Sequence, residues 1–202
     1  MSAERLPRLT RDDLDEEQLA LYRSITAGPR AAGPQLFALQ DEQGALNGPF
    51  GVMLHAPGLG GPLQELGAAV RYRTGMSGRV REIAILAVAA ATGSSFERYA
   101  HERVGRAAGL TEPELSALRT GTFTSADPAE AAAYTLSARL LDDAHRPWAD
   151  ADYTAAEGAL GRAGVLELTV LVGYYRTLAQ LMDVFGVGAP EEGSGNEGGT
   201  AD

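Results

Sequence analysis

The chain has 202 residues, 45% of them hydrophobic, which is enough for one well-buried domain but not for two. It contains no cysteine, and all 17 of its cationic side chains are arginine. This composition excludes disulfides, thiol peroxidase chemistry, zinc–thiolate sites, lysine Schiff bases and the P-loop. A formal net charge of −10 argues against nucleic acid as a partner, because phosphate binding needs a concentrated positive surface.

The sequence also gives little indication of a metal site or of a membrane-spanning segment. The three histidines, His55, His101 and His145, form no HExxH pattern, so we expect no metal site built on neighbouring imidazoles. The N-terminus lacks the apolar segment of a signal peptide, and the longest apolar run, residues 83–91, is far shorter than the roughly 20 residues of a membrane span. We therefore expect a cytoplasmic protein.

Hydrophobic residues recur at helical spacing along most of the chain, which predicts an all-α fold. The helix over 77–92 is apolar on all sides after Glu82 and should be central. The Gly-rich, acidic segment 188–202 has too little apolar content to fold, so we expect a single domain over 1–187 followed by a disordered tail. Helices are predicted at 14–25 with Asp12 or Asp13 as cap, within 47–57, at 60–72, at 77–92, from the Gly93 break to Gly109, from Thr111, from Asp127 to Ala144, at 153–161 and at 165–185.

Glu97 and His101 stand four residues apart, so on a helix their side chains share one face. That face continues through Val104 and Ala108, which marks it as directed towards the core. A carboxylate and an imidazole in the interior are costly unless they pair with each other or with a ligand. Any site of chemistry is expected here.

Several short motifs occur together in one order, and in combination they resemble the carboxymuconolactone decarboxylase family of the alkylhydroperoxidase-D-like superfamily. The resemblance covers about residues 5–187 and implies a compact helical domain with a central buried helical hairpin. The motifs are Leu46-Asn-Gly-Pro-Phe50, Met53-Leu-His-Ala-Pro57, Arg81-Glu-Ile-Ala-Ile-Leu86, the Glu97/His101 pair, Ala108-Gly-Leu110 and Val172-Gly-Tyr-Tyr-Arg176.

The peroxidase branch of this superfamily carries a CxxCxxxH motif with a glutamate upstream. In this chain the two cysteine positions are Ser94 and Glu97, the histidine is His101 and the upstream glutamate is Glu82. Without a thiol the resemblance implies no peroxidase. Arg98 also departs from the pattern, since many relatives have tryptophan there, and it is expected to face either the pocket or a subunit contact.

The namesake reaction of the family needs no metal or organic cofactor. A carboxylate leaves from a carbon conjugated to a lactone carbonyl, and the dienolate must be stabilised on oxygen and reprotonated on carbon. The resemblance suggests His101 as hydrogen-bond donor or general acid, Glu97 as proton shuttle and Glu82 as the group that orients the imidazole. The alternatives are a helix-stabilising pair for Glu97 and His101, and a favourable helix-dipole position for Glu82.

Three further residues are candidates for substrate binding: His55, Tyr175 and Arg176. His55 lies in an Ala-Pro turn and either lines the mouth of the pocket or caps the turn. Arg176 lies in a mostly apolar helix and either binds a substrate carboxylate or forms a buried structural ion pair.

Two function classes remain open. The first is a cofactor-independent lyase acting on a small unsaturated lactone or a related carboxylated, enolisable compound, with a biosynthetic isomerase or cyclase as its variant. The second is a non-catalytic helical protein that binds a hydrophobic ligand. The resemblance also implies a homo-oligomer, a trimer or hexamer before a dimer.

Overall fold

The computed structural model describes residues 4–28, 35–142 and 147–190; the regular elements of these ranges are helices, and the all-α prediction is confirmed. Within these ranges the β-structure is limited to an isolated bridge between Gln40 and Leu46. After a single 3₁₀ turn at Arg11–Asp13, the helices are α1 Glu16–Thr26, α2 Pro49–Met53, α3 Pro57–Tyr72, α4 Gly78–Thr92, α5 Ser95–Ala107, α6 Glu112–Thr120, α7 Pro128–Leu141 and α8 Asp150–Phe185.

Helix α4 is the centre of the domain. It packs against α5, α6, α7 and α8, and its residues from Ile83 to Ala89 are buried on all sides, as its uniform apolarity predicts. Ser77 caps its first turn, and Gly93 ends it with a positive φ. Helix α5 then runs back along α4, so the two helices form a buried hairpin.

Several helix boundaries differ from the prediction, and the capping chemistry explains two of them. Asp15, rather than Asp12 or Asp13, caps α1. Its carboxylate accepts a hydrogen bond from the Gln18 backbone amide, and the Gln18 side-chain oxygen accepts one from the Asp15 backbone amide. Asp13 instead closes the preceding turn on Thr10. Helix α3 begins at Pro57, since proline suits a first helical position.

Helices α7 and α8 also depart from the sequence pattern. Helix α7 ends at Leu141, short of the predicted Ala144, which lies outside the described residues. Its first turn has half of a capping box: the Asp127 carboxylate accepts from the backbone amides of Ala129 and Glu130, but the Glu130 carboxylate is bound by Arg79 and Ser125. The two helices predicted for the C-terminal part are both present within α8, but the break between them is Gly161 alone, whose φ and ψ are not helical, and does not include residues 162–164.

Arg79, at the start of α4, forms ion pairs with two neighbouring helices. Its guanidinium lies 2.6 Å from a carboxylate oxygen of Glu114 on α6 and 2.6 Å from one of Glu130 on α7. The bond from Arg79 and those within the α6 cap lower the pKa of Glu114 to about 2. The ion pairs fix the angle at which α6 and α7 meet α4.

Gly48 shapes the opposite side of the hairpin. It precedes α2 with φ 61°, and a Cβ there would lie 2.2 Å from Cζ of Phe96 on α5. Beyond α8, the Ala189 amide donates to Ser95 Oγ at 3.2 Å, and residues 191–202 of the predicted tail lie outside the described part. No helix of the described ranges is both long and apolar enough to cross a membrane.

Candidate active site

The hairpin of α4 and α5 brings Glu82, Glu97 and His101 together. His101 Nδ1 lies 2.6 Å from Glu82 Oε2, and His101 Nε2 lies 3.3 Å from Glu97 Oε2. Both nitrogens of one imidazole therefore face carboxylates, one from each helix. The side chains are almost completely enclosed, with exposures of 0% for Glu82, 2% for Glu97 and 4% for His101.

Local sequence explains why these side chains point inward. Glu97 and His101 lie one helical turn apart on the buried face of α5, together with Phe96 and Ala100. Ser94 caps that helix by accepting from the Glu97 backbone amide, which fixes where the first turn begins. Glu82 lies in the second turn of α4, at the height of His101 on the neighbouring helix.

The opposing charges in the cluster outweigh the cost of burial. Burial alone would raise the pKa of Glu82, but the charge and hydrogen bond of His101, with Arg71 and Arg81, hold that pKa below its ordinary value. Burial likewise would lower the pKa of His101, but Glu82 and Glu97 raise it instead. The pair is thus an imidazolium–carboxylate contact in which the Nδ1–H donates to Glu82.

Two carboxylate oxygens of the cluster, Glu82 Oε1 and Glu97 Oε1, are buried without a hydrogen-bond partner among the described residues. An acceptor left open in the interior costs free energy, so such atoms in a native structure often serve a bound group or a proton-transfer step. Glu97 Oε1 lies on the carboxylate that also faces His101 Nε2.

Tyr175 of α8 is the candidate substrate-binding residue that contacts this cluster. Its ring meets the His101 imidazole edge to face, with centroids 5.1 Å apart, and its hydroxyl accepts a hydrogen bond from Arg71 at 3.3 Å. Arg176 follows on the same helix and is half-buried. Since adjacent helical residues point about 100° apart, it does not share the direction of Tyr175.

His55 and Arg98 are placed elsewhere. The His55 imidazole is half-buried and lies 3.0 Å from the Pro7 carbonyl, to which it donates, so it holds the N-terminal segment against the end of α2. Arg98 is exposed on α5 and does not belong to the buried cluster. Within the described ranges, no group of three or more His, Asp or Glu side chains is arranged to hold a metal ion.

Sequence analysis missed Arg71 and Arg81. Arg71 Nη1 lies 3.9 Å from Glu82 Oε1, and Arg81 Nε lies 3.6 Å from the same oxygen. Arg81 adjoins Glu82 within the motif at residues 81–86, so the sequence could have indicated it as a neighbour of the site. Arg71 reaches the site from the end of α3, and no spacing within the sequence indicates that approach.

The fold and site together define an all-α protein whose central hairpin encloses a carboxylate–imidazole–carboxylate array. The model of the carboxymuconolactone decarboxylase family matches residues 57–138, which include α3, α4, α5 and the whole array. The predicted resemblance to this family is thereby confirmed, over a shorter stretch than the motifs suggested.

A crystal structure of an alkylhydroperoxidase AhpD core has the same fold. It is that of an uncharacterized peroxidase-related protein from Ralstonia eutropha JMP134, with a TM-score of 0.73, 13% sequence identity and coverage of 95% of either chain. At this identity the likeness shows the fold alone. No curated protein matches the sequence.

Proposed function

We propose that the protein is a cofactor-independent lyase that acts by acid–base catalysis on a small unsaturated lactone or a related carboxylated, enolisable compound. The observation that carries this proposal is the buried Glu82–His101–Glu97 array, in which both imidazole nitrogens lie within 3.3 Å of a carboxylate oxygen. The match of residues 57–138 to the decarboxylase family supports the reaction type. The absence of cysteine leaves no thiolate for a peroxidase cycle.

The array has the groups that such a reaction needs. When the substrate C–C bond breaks, carbon dioxide leaves, and the electron pair passes into the conjugated carbonyl to form a dienolate. The imidazolium, directly or through Glu97, stabilises the oxygen and delivers one proton to carbon. Glu82 keeps its own charge throughout, holding Nδ1–H and leaving Nε2 as the nitrogen that exchanges a proton.

Turnover should depend on the array and not on the charges of the outer face of α5. We predict that His101→Asn and Glu97→Gln each lower kcat by about 10²-fold or more, the usual scale for loss of a general acid or base. Glu102→Gln is the matched control, because Glu102 follows His101 but pairs with Arg119 on the outside of α5. The measurement is carbon dioxide release from a panel of carboxylated unsaturated lactones in D₂O, with deuterium in the product located by NMR.

The outcomes separate the function classes. Deuterium incorporation without carbon dioxide release would indicate the isomerase or cyclase alternative. Normal turnover by His101→Asn together with a much lower melting temperature would mean that the array is structural. Saturable ligand binding without either reaction would leave the non-catalytic alternative.

A further inference from the structure

Two arginines flank the surface side of the buried array. Arg71, at the end of α3, has 13% of its side chain exposed and lies 3.9 Å from Glu82 Oε1. Arg81 lies 3.6 Å from the same oxygen and donates to the Arg71 carbonyl at 3.0 Å. At these distances neither guanidinium forms a hydrogen bond with Glu82, so both act on it as charges.

His101 contacts Glu82 of α4, Glu97 of α5 and the ring of Tyr175 of α8. Two further charges, Arg71 of α3 and Arg81 of α4, lie against Glu82. The charged side chains of α6 and α7 nearest to the hairpin are engaged elsewhere. Glu112 and Arg119 pair with Arg106 and Glu102, and Glu114 and Glu130 pair with Arg79. The charges of the two carboxylates, Glu82 and Glu97, thus balance those of the two guanidiniums. Protonation of the imidazole gives the cluster a net charge of one positive unit.

This balance decides how tightly the imidazole holds its proton. An imidazole between two buried carboxylates, with no cation nearby, would hold a proton too firmly to exchange it near neutral pH. A fixed positive charge beside Glu82 stabilises the carboxylate without a proton and opposes a second positive charge on His101. Arg71 stays charged in its place, since burial would lower its pKa but Tyr175 and Glu82 raise it.

We propose that Arg71 is a positioning residue, which acts through Glu82 and Tyr175 to loosen the hold of the Glu82–His101 pair on its proton. Arg71 need not touch the substrate for this. The inference deepens the proposed function, because a loosely held proton is what an acid–base catalyst requires. Its test uses no substrate.

The experiment is an NMR titration of the histidine ring signals from pH 5 to pH 10 on the full chain. With three histidines in the sequence, the His101 signals can be assigned by comparison with His55→Gln and His145→Gln. Arg71→Gln removes one positive charge, so the pair should release its proton at a pH higher by about one unit. Arg73→Gln is the matched control, because Arg73 is exposed two residues further along and its loss should leave the titration unchanged.

Two further variants keep the test decisive. Arg71→Lys keeps the charge and should titrate close to wild type. Tyr175→Phe releases the Arg71 guanidinium while keeping the ring against His101, and should move the titration part of the way towards Arg71→Gln. If Arg71→Gln does not fold, Tyr175→Phe decides: an upward change supports the proposal, and an unchanged titration overturns it.

The proposal is also overturned if Arg71→Gln titrates like wild type, or if Arg73→Gln moves the His101 signals equally. Either result would leave the predicted loss of turnover in His101→Asn unaffected. Conversely, a protein without lyase activity would show the same titration if Arg71 acts as described. The two proposals therefore fail separately.

Discussion

His101 and Glu82 are a buried ion pair whose energy depends on the groups behind it. Removing both charges from water costs several kcal/mol for each ion, and attraction between them compensates only when the geometry is good and further groups assist. The 2.6 Å contact, together with Glu97, Arg71 and Arg81, supplies that assistance. The folded state therefore depends on the protonation of this cluster.

Stability should fall as the pH rises above neutrality. The raised pKa of His101 means that the folded chain binds this proton more tightly than the unfolded chain, whose imidazole has a pKa near 6.5. The resulting stabilisation is fully present below about pH 6.5 and is lost as the pH rises through the folded-state pKa. We predict that the free energy of unfolding, measured with urea at pH 6 and pH 9, falls more in wild type than in His101→Asn, which has no imidazole at position 101 to titrate.

An equal decrease in the two proteins would show that His101 titrates normally.

At acid pH the dependence of stability on pH is reversed, because of Glu82. Its pKa is lowered, so its contribution is present above about pH 4.5 and is lost as the pH falls through the folded-state value. Stability should therefore be greatest between these two limits.

The predictability of the site differs from residue to residue. Spacing on one helix was enough to pair Glu97 with His101, because a turn of α-helix has a fixed rise. Glu82 needed the family resemblance, since it lies on a different helix. Arg71 was not predicted, because its approach depends on how α3 packs against α8, which no local pattern encodes.

At the scale of the element, α8 shows how one residue can divide a helix. Gly161 has φ 70° and ψ 165°, a conformation that is essentially restricted to glycine, while the residues before and after it are helical. The sequence predicted a break after this glycine but extended it over residues 162–164, where Arg162 and Ala163 favour helix. The break is therefore limited to Gly161 itself.

Gly161→Ala should destabilise the protein by about 1–3 kcal/mol, the cost of forcing a side chain into this conformation. Gly158→Ala provides the matched control, since an added Cβ at either position meets no atom within 4 Å. Alanine at the helical position 158 should stabilise by about 0.5–1 kcal/mol. Chemical denaturation of both variants measures the difference, and equal effects would mean that α8 adjusts at Gly161.

At the scale of the molecule, two packed helices leave apolar side chains in solvent. Leu59, Leu66 and Tyr72 are exposed on α3, and Leu166 and Val170 are exposed on α8. The exposed positions of α8 from 163 to 180 carry no charge. Exposed apolar side chains are typical of protein contacts, and we propose that α3 and α8 join copies of this chain into a homo-oligomer, a trimer or hexamer before a dimer.

The double variant Leu66→Glu/Leu166→Glu should lower the molar mass in sedimentation equilibrium, because like charges would meet across each contact. Ser116→Glu adds the same charge at an exposed polar position of α6 and should leave the mass unchanged. A wild-type protein that sediments as a monomer at micromolar concentration would contradict the proposal.

The close contact between Gly48 and Phe96 has a consequence for how the site can vary. Phe96 immediately precedes Glu97, and its ring occupies the space where a Cβ at position 48 would stand. A side chain at position 48 would have to displace this ring, and with it the packing of the α5 residue that adjoins Glu97. A substitution in the loop before α2 would therefore disturb the surroundings of the array without touching any of its three members.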